Sequence, residues 1–173
     1  MTRAERVREI LEWVAVIIVA AGMSFLINHL LIVNATVPTS SMETTIMARD
    51  RIIGSRLSYL KKDPQRGDII IFKYPDNESV LYIKRLIGLP GEELLVSGGK
   101  VYINGEELDE PYLTVETIGE FGPYKIPEGC YFMMGDNRND SADSRYWDNT
   151  YLHREGMIGK AIFRYWPSVK MLK

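Results

Sequence analysis

The sequence predicts a mainly β protein, in which a single N-terminal transmembrane helix leads into an antiparallel β-sheet domain with a smaller β subdomain inserted. Three observations carry this. An uncharged run from Trp13 to about Val33 is long enough to cross a membrane, no long amphipathic pattern follows it, and β-branched or aromatic segments punctuated by Gly, Pro, Asn and Asp fill the remainder. With 173 residues, 46% apolar and 25% charged, the chain has room for one ordinary domain and an appendage. A net charge of −2 supplies no basic field for nucleic acid. The single cysteine, Cys130, excludes an internal disulfide framework and a multi-cysteine metal site. Flanked by Tyr131, Phe132 and Met133, it reads as a buried strand thiol.

In chain order, residues 1–12 are polar and carry Arg3, Arg6 and Arg8. Residues 13–33, at about 1.5 Å each, span roughly 31 Å, against ~30 Å for a hydrocarbon core. Arginines precede this run and no Lys or Arg follows until Arg49, so the positive-inside rule places the N-terminus in the cytoplasm and residues 34–173 outside. The expected location is the cell membrane, with one pass. A cleavable signal is the competing reading, because Val33-Asn34-Ala35 offers a small residue, but the apolar run exceeds the usual ~7 to 15 residues. A soluble core helix is disfavoured by the lack of a polar face across Val14 to Ile27. Asn28 and His29 are expected near the outer interface.

Strands are expected at Arg51–Gly54, Asp68–Lys73, Ser79–Ile87, Glu93–Val96, Lys100–Ile103, Tyr131–Met134 and Gly156–Trp166. Ser97-Gly98-Gly99 and Asn104-Gly105 supply hairpin turns. The inserted β subdomain is expected at about 93–128.

The strand through Lys84 is unusual. Val80, Tyr82, Lys84 and Leu86 share one face, Leu81, Ile83, Arg85 and Ile87 the other, so both faces are mostly apolar around two adjacent cations. Such cations must snorkel to the rim, find partners, or let one lose its proton to desolvation, and an uncharged lysine is a general base. The segment Pro38-Thr39-Ser40-Ser41-Met42-Glu43-Thr44-Thr45-Ile46 concentrates hydroxyls just after the helix. Such clusters commonly cap turns. A reactive serine among them needs a base: His153 is the only histidine outside the helix and no Gly-x-Ser-x-Gly elbow exists, which leaves Lys84 as the alternative. A third segment, Gly135 to Arg145, is rich in Asp and Asn without the spacing of an EF-hand, so no metal is expected. Asp143 and Arg145 could pair to fix this loop, with Ser141 orienting another side chain.

These segments, in this order and behind one anchor, resemble the type I signal peptidases, membrane-bound serine peptidases with a Ser-Lys dyad. The likeness rests on Ser41-Met42, Arg66-Gly67-Asp68-Ile69-Ile70-Ile71-Phe72, Tyr82-Ile83-Lys84-Arg85-Leu86-Ile87-Gly88-Leu89-Pro90-Gly91, and Gly135-Asp136-Asn137-Arg138 through Ser141-Ala142-Asp143-Ser144-Arg145. It departs at Thr44, where the family's Ser-Met-x-Pro-Thr-Leu has proline. A chain this short, with so small an insertion, is more similar to compact Gram-positive members.

The resemblance implies that Ser41 is the nucleophile and Lys84 the general base. It further implies an oxyanion hole from the Ser41 backbone N–H and the Thr39 hydroxyl, with Ser141 orienting Lys84, Asp143 and Arg145 supporting the site, and Ser40 a bystander. The substrates implied are preproteins with signal peptides, cut after small residues in an Ala-x-Ala pattern. Val37, Pro38, Met42, Ile46, Tyr82 and Ile83 would floor the pockets, a role that overlaps ordinary core packing. No cofactor is implied. Partners are the preproteins and membrane lipid, with no nucleic acid. Tyr146, Trp147, Tyr165 and Trp166 pack in the core or rest at the lipid interface. The rival reading from another class is a non-catalytic anchored β-domain that binds partners. A self-cleaving Ser-Lys regulator is disfavoured by the membrane span.

Overall fold

The computed structural model describes residues 2–172, so Met1 and Lys173, the outer limits of the expected N-terminal segment and domain, lie outside the described residues. Helix α1 (Arg3–Leu26) starts well before the apolar run, because Thr2 and Glu5 form a reciprocal capping box and Arg8 pairs with Glu12 one turn on. It continues through a π-helical turn, Ile27–Leu31, and passes directly into strand β1 (Ile32–Thr36). This is a difference from the expected helix end at Val33. The backbone from Ile32 instead pairs with β2 (Arg51–Ser55), Ile32 opposite Ser55 and Thr36 opposite Arg51. Helix and π-turn together span 29 residues, one helix long and apolar enough to cross a membrane, with none of α1 buried in the protein.

The remaining strands are β3 (Ile69–Tyr74), β4 (Asn77–Gly88), β5 (Glu93–Ser97), β6 (Lys100–Ile103), β7 (Glu106–Glu107), β8 (Phe121–Lys125), β9 (Cys130–Met134), β10 (Leu152–His153), β11 (Met157–Trp166) and β12 (Lys170–Met171). The larger sheet runs β1-β2-β11-β3-β4-β9-β10 with β12 on β11, and a smaller sheet runs β7-β6-β5-β8; every pairing is antiparallel. Asn104 and Gly105, both at positive φ, turn β6 into β7, as the Asn-Gly pair requires.

Strand periodicity explains the core. Along β3, Ile69 and Ile71 join a cluster with Val33, Val37, Met42 and Ile46, while Ile70 and Phe72 face the opposite way, towards Leu86, Met133 and Trp147. Along β9, Tyr131 and Met133 join that second cluster, whereas Cys130, Phe132 and Met134 pack with Leu94, Val96 and Val101 of the smaller sheet. Strands β3 and β9 are therefore buried on both faces and read in sequence as continuous apolar runs. Burial raises the Cys130 thiol pKa.

Candidate active site

Lys84 lies on β4 where that strand changes neighbours. From Lys73 opposite Leu81 to Ile69 opposite Arg85, β4 pairs with β3; β9 joins its other side only from Arg85 onward. Among the described residues, the β4 edge from Val80 to Lys84 that faces away from β3 has no partner strand. This open edge walls a groove of ≈ 420 Å³ lined by Pro38, Thr39, Ser40, Ser41, Val80, Leu81, Tyr82, Ile83, Lys84, Asp140 and Ala142.

The Lys84 amine donates to the Ser41 hydroxyl at 2.5 Å, joining residues 43 apart in sequence. Both are buried, at 4% and 6% exposure. Burial lowers the Lys84 pKa from the ordinary 10.5 to about 8; Asp143 opposes this by its charge, Arg145 assists it, and Asp136 and Asp140 oppose it. The Tyr82 ring lies 5.6 Å from the amine and contributes to its apolar surroundings. A lysine of this kind is available in its neutral form near physiological pH and can withdraw a proton from a hydroxyl it touches. The Thr39 and Ser41 hydroxyl oxygens are 3.4 Å apart.

The loop behind the pair is rigidly held. Asp143 accepts from the Gly135 backbone N–H at 3.0 Å and pairs with Arg145 at 2.8 Å, both side chains fully buried. Arg145 also donates to the Arg138 carbonyl at 2.6 Å. Arg138 pairs with Glu110, tying the loop to the connection between β7 and β8 of the smaller sheet. Arg85 forms a two-pronged pair with Asp136 at 2.8 and 2.7 Å. This satisfies the second of the adjacent cations and leaves Lys84 alone to face the serine.

The placement of other expected residues is mixed. Pro38, Tyr82 and Ile83 line the groove. Val37, Met42 and Ile46 are buried in the core, with Ile83 packed against their cluster, so they lie behind the groove wall. Ser141 is buried, but its hydroxyl has no hydrogen-bond partner among the described residues. His153 contacts Cys130, at 3.5 Å, and is not part of the groove. Trp147 is buried against Phe72, Tyr74 and Tyr82, whereas Tyr146 and Trp166 are exposed and Tyr165 donates to Asn34.

Sequence reasoning missed Ser40, Val80, Leu81, Asp140 and Ala142 as groove residues. Ser40 is more than a bystander in this geometry: its hydroxyl donates to Asp140 at 2.5 Å and its carbonyl accepts from Asn137 at 3.3 Å, stitching the Ser41 segment to the Gly135–Arg145 loop. The strand alternation that grouped Val80 with Tyr82 and Lys84 carried a signal for Val80. No pattern in the sequence marked Asp140. Among the described residues, no group of three His, Cys, Asp or Glu side chains could hold a metal ion.

A serine hydroxyl held against a buried lysine, on a groove with a free strand edge, is the geometry a serine–lysine hydrolase site requires. The model of the family described as signal peptidase, peptidase S26, matches residues 10–166, and the chain belongs to that family. A probable signal peptidase I-2 of Synechocystis is 46% identical over 136 residues, which cover 76% of this chain and 62% of that protein. This chain therefore spans less than two thirds of that relative's length. The signal peptidase I of Bacillus licheniformis is 40% identical over 144 residues, covering 78% and 77% of the two chains. The crystal structure of a signal peptidase I from Enterococcus faecalis is similar at a TM-score of 0.51 and 37% identity, covering 57% of this chain and 97% of that one.

Proposed function

We propose that this protein is a membrane-anchored serine endopeptidase that removes N-terminal signal peptides from exported preproteins, cutting after small residues of the Ala-x-Ala type. The observation that carries this is the contact between the Lys84 amine and the Ser41 hydroxyl, made where burial brings the lysine to about 8. The family membership supports the substrate class.

In this reading an extended preprotein segment lies along the free edge of β4, its backbone completing the sheet and its small side chains fitting beside Pro38, Tyr82, Ile83 and Ala142. Ser41 Oγ attacks the scissile carbonyl carbon as neutral Lys84 takes the hydroxyl proton. The resulting ammonium donates that proton to the leaving amine. Water then attacks the acyl-serine ester, Lys84 again serving as base and returning a proton to Ser41. The Ser41 N–H and the Thr39 hydroxyl stabilise the oxyanion, a single such donor being worth about 3 kcal/mol. Ser141, buried with an unpartnered hydroxyl, orients the Lys84 ammonium. Asp143 and Arg145 hold the loop that carries it. Residues 1–12 face the cytoplasm, the apolar helical run from Trp13 to Leu31 anchors the chain in the cell membrane, and the strands from Ile32 onward form the extracytoplasmic catalytic domain, with the smaller sheet as its inserted part.

The test is cleavage of a purified preprotein bearing an Ala-x-Ala site by the full chain in lipid, beside Ser41→Ala and Lys84→Arg. Cleavage at that site by the wild type alone is expected, because a guanidinium does not serve as a base. Turnover by the arginine variant would overturn the dyad, and no cleavage by folded wild type would move the reading to an anchored binding domain.

A further inference from the structure

At the foot of the long helix, sharing no lining residue with the Ser41 groove, the chain forms a cleft of ≈ 710 Å³ lined by Leu57, Tyr59, Leu60, Lys61, Lys62 and Lys160 among others. We propose that this face binds the anionic phospholipid headgroups of the bilayer that the helix enters, docking the β domain on the membrane through the turn at 56–62.

The position of the turn argues for a lipid occupant. The 3-10 turn Arg56–Tyr59 follows β2 at the end where Ser55 pairs with Ile32, the first residue after the helix. Arg56 Nε donates to the Ile32 carbonyl at 3.2 Å, which fixes the turn against the helix exit. No linker separates α1 from the sheet, so a bilayer around the helix meets this turn before any distant part of the domain.

The chemistry fits a headgroup layer. Leu57 and Leu60 are exposed, at 46% and 72%, and offer apolar contact below the phosphates. Lys61 and Lys62 are exposed beside them, and among the described residues neither has a carboxylate partner. Both carboxylates of the cleft are already matched, Asp63 by Arg154 at 3.1 Å and Asp68 by Lys160 and the Tyr59 hydroxyl. The surface left towards the membrane is thus apolar with surplus positive charge, the composition that favours anionic leaflets.

The proposal depends on the helix lying in a bilayer and not on the peptidase reading, so its test needs no activity. Leu60→Cys is labelled with an environment-sensitive fluorophore in the full chain; Cys130, 3% exposed, stays out of reach of the reagent. Emission is compared in nanodiscs of phosphatidylcholine alone and with added phosphatidylglycerol. Brighter, blue-shifted emission is expected with phosphatidylglycerol. Each lysine near an anionic leaflet shifts the docked-to-undocked ratio about fivefold, so Lys61→Gln with Lys62→Gln lowers it about 25-fold, and raised salt weakens the wild-type response. Equal emission in the two lipids, or a phosphatidylglycerol response that survives the double substitution, overturns the proposal.

Discussion

Replacing Lys84 with methionine should stabilise the folded protein at neutral pH while removing the proposed base. Burial holds the folded-state value at about 8, against 10.5 for an ordinary lysine. Between those values the unfolded chain binds the proton and the folded chain does not, so stability rises with pH across that window. Below about 8 the folded chain carries a buried ammonium and the whole cost is present. A gap of about 2.5 pH units at 1.36 kcal/mol each corresponds to about 3 kcal/mol. Methionine fills similar space without a charge. Ser41 loses its lysine partner, at a cost of about 1 kcal/mol, and retains the Thr39 hydroxyl at 3.4 Å. The net expectation is about 2 kcal/mol in favour of the variant at pH 7, fading as pH approaches 10.5. Equilibrium denaturation of both proteins in detergent, followed by tryptophan fluorescence at a series of pH values, measures this difference while titrations common to both cancel. A variant less stable than wild type at pH 7, or an advantage that does not change with pH, would refute the reasoning.

Three further outcomes are expected. The ratio kcat/KM for a preprotein should rise with pH to a plateau with its midpoint near 8, since only neutral Lys84 accepts the proton; a flat profile across that midpoint contradicts the lysine base. Asp143→Asn breaks a pair whose side chains are both at 0% exposure, so a loss of about 3 to 5 kcal/mol is expected in thermal or chemical unfolding. Asp143 exerts the largest influence opposing the fall in the Lys84 pKa, so any folded fraction should show its pH–rate midpoint below the wild-type value. Gly135→Ala places a Cβ inside contact distance of the Ser41 carbonyl and the Ser141 hydroxyl, and activity should fall sharply with only about 1 to 3 kcal/mol lost in stability; undiminished turnover would show that this loop yields freely.

The long strands were legible because each carries its own signal. β3, β4, β9 and β11 are apolar or β-branched runs closed by turn residues, and their observed limits differ from the expected ones by a residue or two. Strands β1, β8, β10 and β12 were not anticipated, and β7 only as the far arm of the Asn104-Gly105 turn. They are short, several are polar, and they exist because a neighbouring backbone is positioned to accept their hydrogen bonds. The pairing of Ile32–Thr36 with β2 outcompetes continuation of the helix, which no local count of apolar residues reveals.

Much the same division holds at the site. The sequence by itself determined a helix of membrane length, a β domain behind it, and a lysine on a strand apolar on both faces, because length, period and composition are local properties of the chain. Whether that lysine snorkels to the rim, finds a partner or is desolvated was left open by the residues. Only the tertiary structure decided it, by pairing Arg85 with Asp136, ending β9 at Met134 so that the β4 edge stays open, and bringing Ser41 against an amine 43 residues away. It also turned Met42 and Ile46 into the core and Ser40 towards Asp140. The reason is physical: desolvation and hydrogen bonding depend on which distant groups share a volume, and that follows from how the whole chain packs.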